Sequence, residues 1–225
     1  MLSLFEESPA APEAMGAPTA PAPLPHLLRI VADSNDRVAW LRARSRGITA
    51  TDVAKLSTLK SVRSAAFDKL NGSRYTGKGA YLEHGREREP VIAGWVLENH
   101  GIEPSTTLYH ARGETRHLAT PDGLAVRDGG RLELAEIKTT SKPWRSIPRH
   151  YLRQVWWQQY VLGAERTLVV WEHHEDFVPV GEPECRWVDR DDAEIGKLVG
   201  LADQLLSLIT PRTSSTARRR FDAGI

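Results

Sequence analysis

The chain has 225 residues, and its 30 Lys and Arg against 29 Asp and Glu leave a formal net charge of +1. A hydrophobic content of 40% with seven Trp is enough for a core, which excludes a wholly disordered chain. The absence of an apolar run of ~18 residues excludes a transmembrane protein, and the single Cys185 excludes an internal disulfide or a cysteine-rich metal site. The charge balance argues against nucleic-acid binding by bulk charge alone, but it leaves room for a local basic groove.

Both ends of the chain have the composition of tails. Residues 1–25 contain six Pro, six Ala and no Lys or Arg, so they cannot bury enough apolar surface to offset the entropy of ordering. They also lack the basic start of a signal peptide, and we expect a cytoplasmic protein. Residues 210–225 carry three consecutive arginines and are predicted to form a flexible basic tail. One catalytic-sized domain is therefore expected over residues 26–209.

Between these tails, the hydrophobic period changes from that of helices to that of strands and back. Helices are predicted at Asp33–Arg44 (capped by Asp33 or Ser34), Thr49–Leu56, Ser61–Leu70, Lys78–Glu98 and His150–Leu162. A closing helix is predicted to be capped within residues 189–192 and to run through Leu208. Strands are predicted at Glu103–His110, Thr115–Thr120, Gly123–Arg127, Arg131–Thr139, Arg166–His173 and Cys185–Val188. This order predicts an α/β or α+β domain with a central mixed β-sheet flanked by helices.

The strand at 131–138 carries charged residues where its apolar pattern should continue. Alternation places Leu132, Leu134, Glu136 and Lys138 on one face, which we expect to point to the core. A buried carboxylate and a buried ammonium both need partners, because an uncompensated buried charge costs several kcal/mol. Either the two form an ion pair or they belong to a metal site.

A second carboxylate comes near this strand through the preceding hairpin. Asp122 lies in a Pro-Asp-Gly segment 14 residues before Glu136, and an Asp-Gly-Gly turn at 128–130 can bring the two carboxylates side by side. Converging carboxylates repel each other unless a proton or a cation lies between them. Carboxylate oxygens suit Mg²⁺ or Mn²⁺. The alternative interpretation is an ordinary turn beside a surface ion pair.

The helix that follows presents a polar face despite its aromatic content. Tyr151, Gln154 and Gln158 lie three and four residues apart, so they share one face of the helix. This face points either to solvent or to a wet cavity.

Taken together, these motifs resemble the lambda exonuclease/YqaJ-type viral recombinase nucleases, within the PD-(D/E)xK restriction-endonuclease-like class. The resemblance covers about residues 39–172. The matching segments, in order, are RSRGITATD (44–52), GREREP (85–90), ATPDGL (119–124), LAEIK (134–138) and YLRQV (151–155). It implies a restriction-endonuclease-like core around the mixed sheet.

The resemblance also implies a metal site. Asp122, Glu136 and the carbonyl of Ile137 would hold a catalytic Mg²⁺, for which Mn²⁺ can substitute. Glu89, at the matching helical position, would complete or support a second metal site. His173 and His174 are not expected to form a metal pair, since adjacent strand residues face opposite ways.

Further roles follow from the same resemblance. Lys138 would orient or deprotonate the attacking water, with Gln154 and Tyr151 positioning that lysine. Arg44 and Thr51 match positions that contact a terminal 5′ phosphate.

The resemblance implies a hydrolase that cleaves DNA, most simply a 5′-to-3′ exonuclease on duplex ends in phage-type DNA recombination. Its partners would be double-stranded DNA, a single-strand annealing protein and two further copies of itself in a trimeric ring. An endonuclease of the same fold, a non-cleaving DNA-binding module and a small-molecule phosphoesterase are the alternatives.

Overall fold

A computed structural model of the chain describes residues 24–71 and 79–210. The predicted tails at 1–25 and 210–225 lie outside these residues, apart from positions 24, 25 and 210. No helix among the described residues combines the length and the apolar character needed to cross a membrane.

The described residues form six α-helices and ten β-strands, joined by loops. The helices are α1 (Arg37–Arg46), α2 (Ala50–Val53), α3 (Leu59–Asn71), α4 (Gly79–His100), α5 (Arg149–Leu162) and α6 (Asp192–Ile209). The strands are β1 (Ile30–Asp33), β2 (Ile48–Thr49), β3 (Glu103–Pro104), β4 (Thr107–His110), β5 (His117–Ala119), β6 (Gly123–Val126), β7 (Leu132–Thr140), β8 (Arg166–Glu175), β9 (Val178–Pro179) and β10 (Glu184–Asp189). Single 3₁₀ turns lie at Leu27–Arg29 and Asp128–Gly130.

The larger sheet is mixed, as predicted, with the strand order β10-β8-β7-β6-β3. β6 and β7 form an antiparallel hairpin, whereas β7 and β8 run parallel and are joined by the crossover helix α5. The turn between β6 and β7 holds Gly129 and Gly130 at φ of 74° and 76°, a conformation that a residue without a Cβ adopts readily. The predicted Asp-Gly-Gly hairpin is therefore confirmed.

A second, smaller sheet with the order β1-β4-β5-β2 was not expected. The segment predicted as one strand, Glu103–His110, is divided between the two sheets. β3 pairs with β6 in the larger sheet, and β4 pairs with β1 and β5 in the smaller one. Pro104 ends the first part because it has no N–H to continue the ladder.

The prediction for the first helix was wrong at its start. Asp33 belongs to β1, and the helix α1 begins only at Arg37. The cap is Asp36, whose carboxylate accepts the Ala39 N–H at 3.0 Å, rather than Asp33 or Ser34.

Both faces of β7 are buried, whereas the sequence indicated one core face. Leu132 and Leu134 pack with α5 and α6, and Ala135 and Ile137 pack with α4 on the opposite side. Helices on both faces make the central strand hydrophobic on both sides. Glu136 therefore enters a fully covered layer beneath α5, where each of its oxygens requires a donor.

Candidate active site

A cavity of about 660 Å³ opens between α4, the end of β7 and the start of α5. Its walls include Glu89 from α4, Ile137 and Lys138 from β7, and Tyr151 from α5. The predicted carboxylates Asp122 and Glu136 adjoin the same end of β7, so the structure brings the predicted catalytic residues to one place.

Asp122 is tied to β7 by its side chain and its backbone. Its Oδ2 accepts the Ile137 N–H at 2.7 Å, and its own N–H donates to the Ala135 carbonyl at 3.1 Å. Burial and the nearby carboxylates Glu136 and Glu89 raise the pKa of Asp122 well above its ordinary value, although Lys138 and the Ile137 N–H act in the opposite direction. The hairpin thus holds the Asp122 carboxylate in place where the nearby positive charge does not balance the nearby negative charge.

Glu136 is completely buried and receives three donors. Lys138 Nζ and Gln154 Nε2 both donate to Oε1, and Gln158 Nε2 donates to Oε2 at 2.6 Å. The predicted polar face of α5 therefore points inward, onto a carboxylate. These donors fix the orientation of Glu136, because a buried carboxylate needs its lone pairs satisfied.

Lys138 lies between the carboxylates and an aromatic ring. Burial alone would lower the pKa of Lys138, but attraction to Glu136 and Asp122 outweighs burial and raises it above the ordinary range. Its Nζ lies 5.4 Å from the centre of the Tyr151 ring, a cation–π distance. Tyr151 thus contacts Lys138 as expected. Gln154 contacts Glu136 instead, because an amide N–H and an ammonium are both donors and converge on the same acceptor.

Glu89 faces the cavity from α4. Loss of hydration in the cavity wall raises the pKa of Glu89; the positive charge of Lys138 opposes this rise, and the negative charge of Glu136 adds to it. The adjacent Arg88 forms a two-bond ion pair with Glu172 of β8, at 2.8 and 2.7 Å. This pair attaches α4 to the sheet at the position next to Glu89.

The donor set is suited to a hard divalent cation, although no three His, Cys, Asp or Glu side chains within residues 24–71 and 79–210 already meet as a ligand cluster. Asp122 Oδ1 accepts no hydrogen bond from the described residues, and Glu136 Oε2 accepts only that of Gln158. Mg²⁺ is commonly bound through one or two carboxylates, with waters filling the other positions. The free lone pairs of Asp122 and Glu136 fit that mode of binding.

The predicted phosphate-contacting residues lie apart from the cavity walls. The Arg44 guanidinium stacks on Trp40 at 4.2 Å from the ring centre, and burial lowers its pKa against the attraction of Asp52. Thr51 is exposed in α2, which packs on α5 and is linked to it by an Arg153 hydrogen bond to the Ala54 carbonyl at 3.0 Å. No hydrogen bond or ion pair among the described residues joins Thr51 to Arg44.

Two contacts of the site were not predicted from the sequence. Helical spacing placed Gln158 on one polar face with Tyr151 and Gln154, but it did not show that Gln158 donates to Glu136. The Arg88–Glu172 pair joins residues 84 positions apart, and nothing in the sequence indicated that contact.

Comparison with known protein families shows which family the chain belongs to. The family profile of the YqaJ-like viral recombinase domain matches residues 39–165, more than half of the chain. The chain belongs to this family. The resemblance inferred from the five motifs is confirmed.

Solved structures show the same fold. An alkaline exonuclease from Laribacter hongkongensis (LHK-Exo) matches with a TM-score of 0.56 and 22% identity, over 76% of this chain and 91% of that one. Its complex with dAMP gives a TM-score of 0.58 and 23% identity over 75% and 91%. A phage-related exonuclease from Haemophilus somnus 129PT gives 0.55 and 11% over 72% and 93%. A search among curated proteins finds no significant match.

Proposed function

We propose that this protein is a Mg²⁺-dependent DNA nuclease that removes nucleotides from the 5′ ends of duplex DNA. The observation that carries the proposal is the convergence of Asp122, Glu136 and Lys138 at one end of β7, with Glu89 on the facing helix. Family membership and the fold shared with two exonucleases add to it.

Each residue of the site has a separate role in the hydrolysis of a phosphodiester. Asp122 and Glu136 would hold the metal, with Ile137 and Glu89 as further ligands. The metal supplies charge stabilisation and a water of lowered pKa when bound. Gln154 and Gln158 keep the Glu136 carboxylate in one orientation, so its free lone pair points in a constant direction. Lys138, held against Tyr151, orients the water and offsets negative charge developing on the phosphate.

The first test is cleavage with Mg²⁺ of three substrates by the wild type and by Lys138→Ala. The substrates are linear duplex with 5′ phosphates, linear duplex with 5′ hydroxyls, and closed circular plasmid. We expect degradation of linear DNA alone and a loss of roughly 10²–10³ in kcat in the variant, the size seen when one electrostatic stabiliser is removed. Thermal melting of the variant shows whether it is folded.

Each other outcome contradicts a defined part of the proposal. Nicking or linearisation of the circle would make the protein an endonuclease. Equal turnover by Lys138→Ala would remove that residue from the mechanism. Absence of cleavage with Mg²⁺ and with Mn²⁺ would leave a DNA-binding module.

The preference for 5′-phosphorylated over 5′-hydroxyl ends is assigned to Arg44 and Thr51, because a guanidinium and a hydroxyl can both donate hydrogen bonds to a terminal phosphate. Arg44→Ala should reduce cleavage of 5′-phosphorylated ends more than that of 5′-hydroxyl ends. Arg42→Ala is the matched control, since Arg42 is an exposed arginine on the same helix. Equal losses on both kinds of end, or the same effect in the control, would contradict the assignment.

A further inference from the structure

The loop of residues 141–148, which we name the basic arm, follows β7 directly beside the cavity. Thr140 and Ser141 line the cavity, and the arm continues outward from them to the start of α5. Lys142 and Arg145 are exposed on it.

The arm lies in a segment of the chain that carries positive charge and no negative charge. Residues 137–164 contain five Lys and Arg (138, 142, 145, 149 and 153) and no Asp or Glu. The whole chain has a net charge of only +1, so this concentration is a local feature. A local positive surface beside a cavity attracts anions from solution.

The arm's cations remain available to a ligand, whereas the others in this segment are engaged. Arg149 pairs with Glu194 at 2.7 Å, Arg153 donates to a backbone carbonyl, and Lys138 donates to Glu136. Lys142 and Arg145 make no side-chain hydrogen bond or ion pair with any residue in the described part of the chain.

The backbone that carries these two cations is held in place. Thr140 Oγ1 donates to the Lys142 carbonyl at 2.8 Å and accepts the Lys142 N–H at 3.2 Å, which closes a tight turn. The Trp144 ring lies 5.1 Å from that of Tyr151 and 5.3 Å from that of Trp171, and Ile147 is buried. A loop that is already ordered loses little conformational entropy when it binds.

We infer that the basic arm binds the backbone phosphates of the DNA strand that enters the cavity, through Lys142 and Arg145. The inference rests on the proposed function. A Lys and an Arg three residues apart on a fixed loop match a polyanion with regularly spaced charges, and neither residue is needed for the chemistry assigned to Lys138. Such contacts position the strand without reading its sequence.

Salt dependence of DNA binding tests the inference. In a Lys138→Ala background, anisotropy of a labelled duplex gives Kd at several NaCl concentrations. Each phosphate contact contributes about 0.9 to the slope of log Kd against log [NaCl], so Lys142→Ala with Arg145→Ala should lower the slope by about 1.8. The loss of affinity between 50 and 200 mM NaCl should then be about 12-fold smaller than in the parent.

Lys60→Ala with Arg63→Ala is the matched control. These residues are an exposed Lys and Arg with the same three-residue spacing, on α3, which contributes nothing to the cavity walls. The control slope should equal that of the parent. Equal slopes in the arm variant and the parent would overturn the inference, and so would an equal drop in the control.

The same variants in an otherwise wild-type chain give a second measurement, the salt dependence of kcat/KM on linear duplex. Here also the slope should fall only in the arm variant. Cleavage by the wild type with no change in the arm variant's slope would refute the arm and leave the proposed function standing. A wild type that neither cleaves nor binds DNA would refute both.

Discussion

The ion pair between Arg88 and Glu172 gives the sharpest prediction on stability. The Glu172 side chain is 3% exposed and accepts two hydrogen bonds from a guanidinium that is 27% exposed. Glu172→Gln keeps the size of the side chain but removes its charge and one acceptor oxygen. A hydrogen bond to a charged group contributes about 1.5–3 kcal/mol.

The expected cost lies below that of a fully buried pair. Removing one partner of a buried pair costs about 3–5 kcal/mol, but Arg88 is exposed enough to regain some hydration. We therefore expect the free energy of unfolding to fall by about 2 kcal/mol. In a domain of this size, about 2–4 °C of Tm is lost per kcal/mol, so Tm should fall by about 4–8 °C.

Urea denaturation followed by circular dichroism measures this loss. Glu83→Gln is the control, because Glu83 pairs with Arg86 on the same helix at 3.8 Å with both side chains about two-thirds exposed. Such a surface pair contributes less than about 1 kcal/mol. A double-mutant cycle with Arg88→Met isolates the coupling between Arg88 and Glu172. A coupling below about 0.5 kcal/mol, or equal losses in Glu172→Gln and Glu83→Gln, would refute the reasoning.

Three further predictions concern other parts of the fold. Trp157→Phe should cost about 2–3 kcal/mol in urea unfolding, because it removes a fully buried indole whose Nε1 donates to the Leu118 carbonyl at 3.0 Å; a loss below about 1 kcal/mol would contradict this. Pro90→Ala should raise Tm, because a proline inside a helix costs about 3 kcal/mol and alanine restores the backbone N–H donor. An unchanged or lower Tm would contradict this and show that Pro90 does not destabilise α4. Burial lowers the pKa of His117 below its ordinary value of 6.5. The contribution of the neutral imidazole to the free energy of unfolding is therefore complete above pH 6.5 and is lost as the pH falls through the lowered native pKa. Urea unfolding at several pH values should show this loss in the wild type, and the same pH dependence in His117→Gln would contradict the prediction.

The parts of the site that the sequence predicted depend on local chemistry. Asp122 and Glu136 could be placed side by side because the Asp-Gly-Gly turn fixes the hairpin between them. Helical spacing groups Gln154 with Tyr151 and Gln158 on one polar face, but it left open whether that face meets solvent or a cavity.

The parts that it did not predict depend on contacts between distant segments. Alternation along β7 showed which residues share a face, but whether a helix covers the second face depends on α4, which is some forty residues away. The direct contact of Gln154 was not predicted either, since Lys138, which it was expected to position, and Glu136 lie on the same face of one strand. Only the three-dimensional arrangement shows which of the two the amide reaches.

The hairpin origin of the acidic residues has a consequence for the order of folding. Asp122 and the Ile137 N–H are 15 residues apart, whereas Gln154 and Gln158 come from a crossover helix 18 and 22 residues beyond Glu136. β6 and β7 are joined by a tight turn and pair antiparallel, whereas β7 and β8 pair in parallel across α5, and parallel strand pairing forms slowly. We therefore expect Asp122 and Glu136 to meet before α5 docks and brings in the glutamines that restrain Glu136. Over that interval the acidic hairpin would be open to solvent cations.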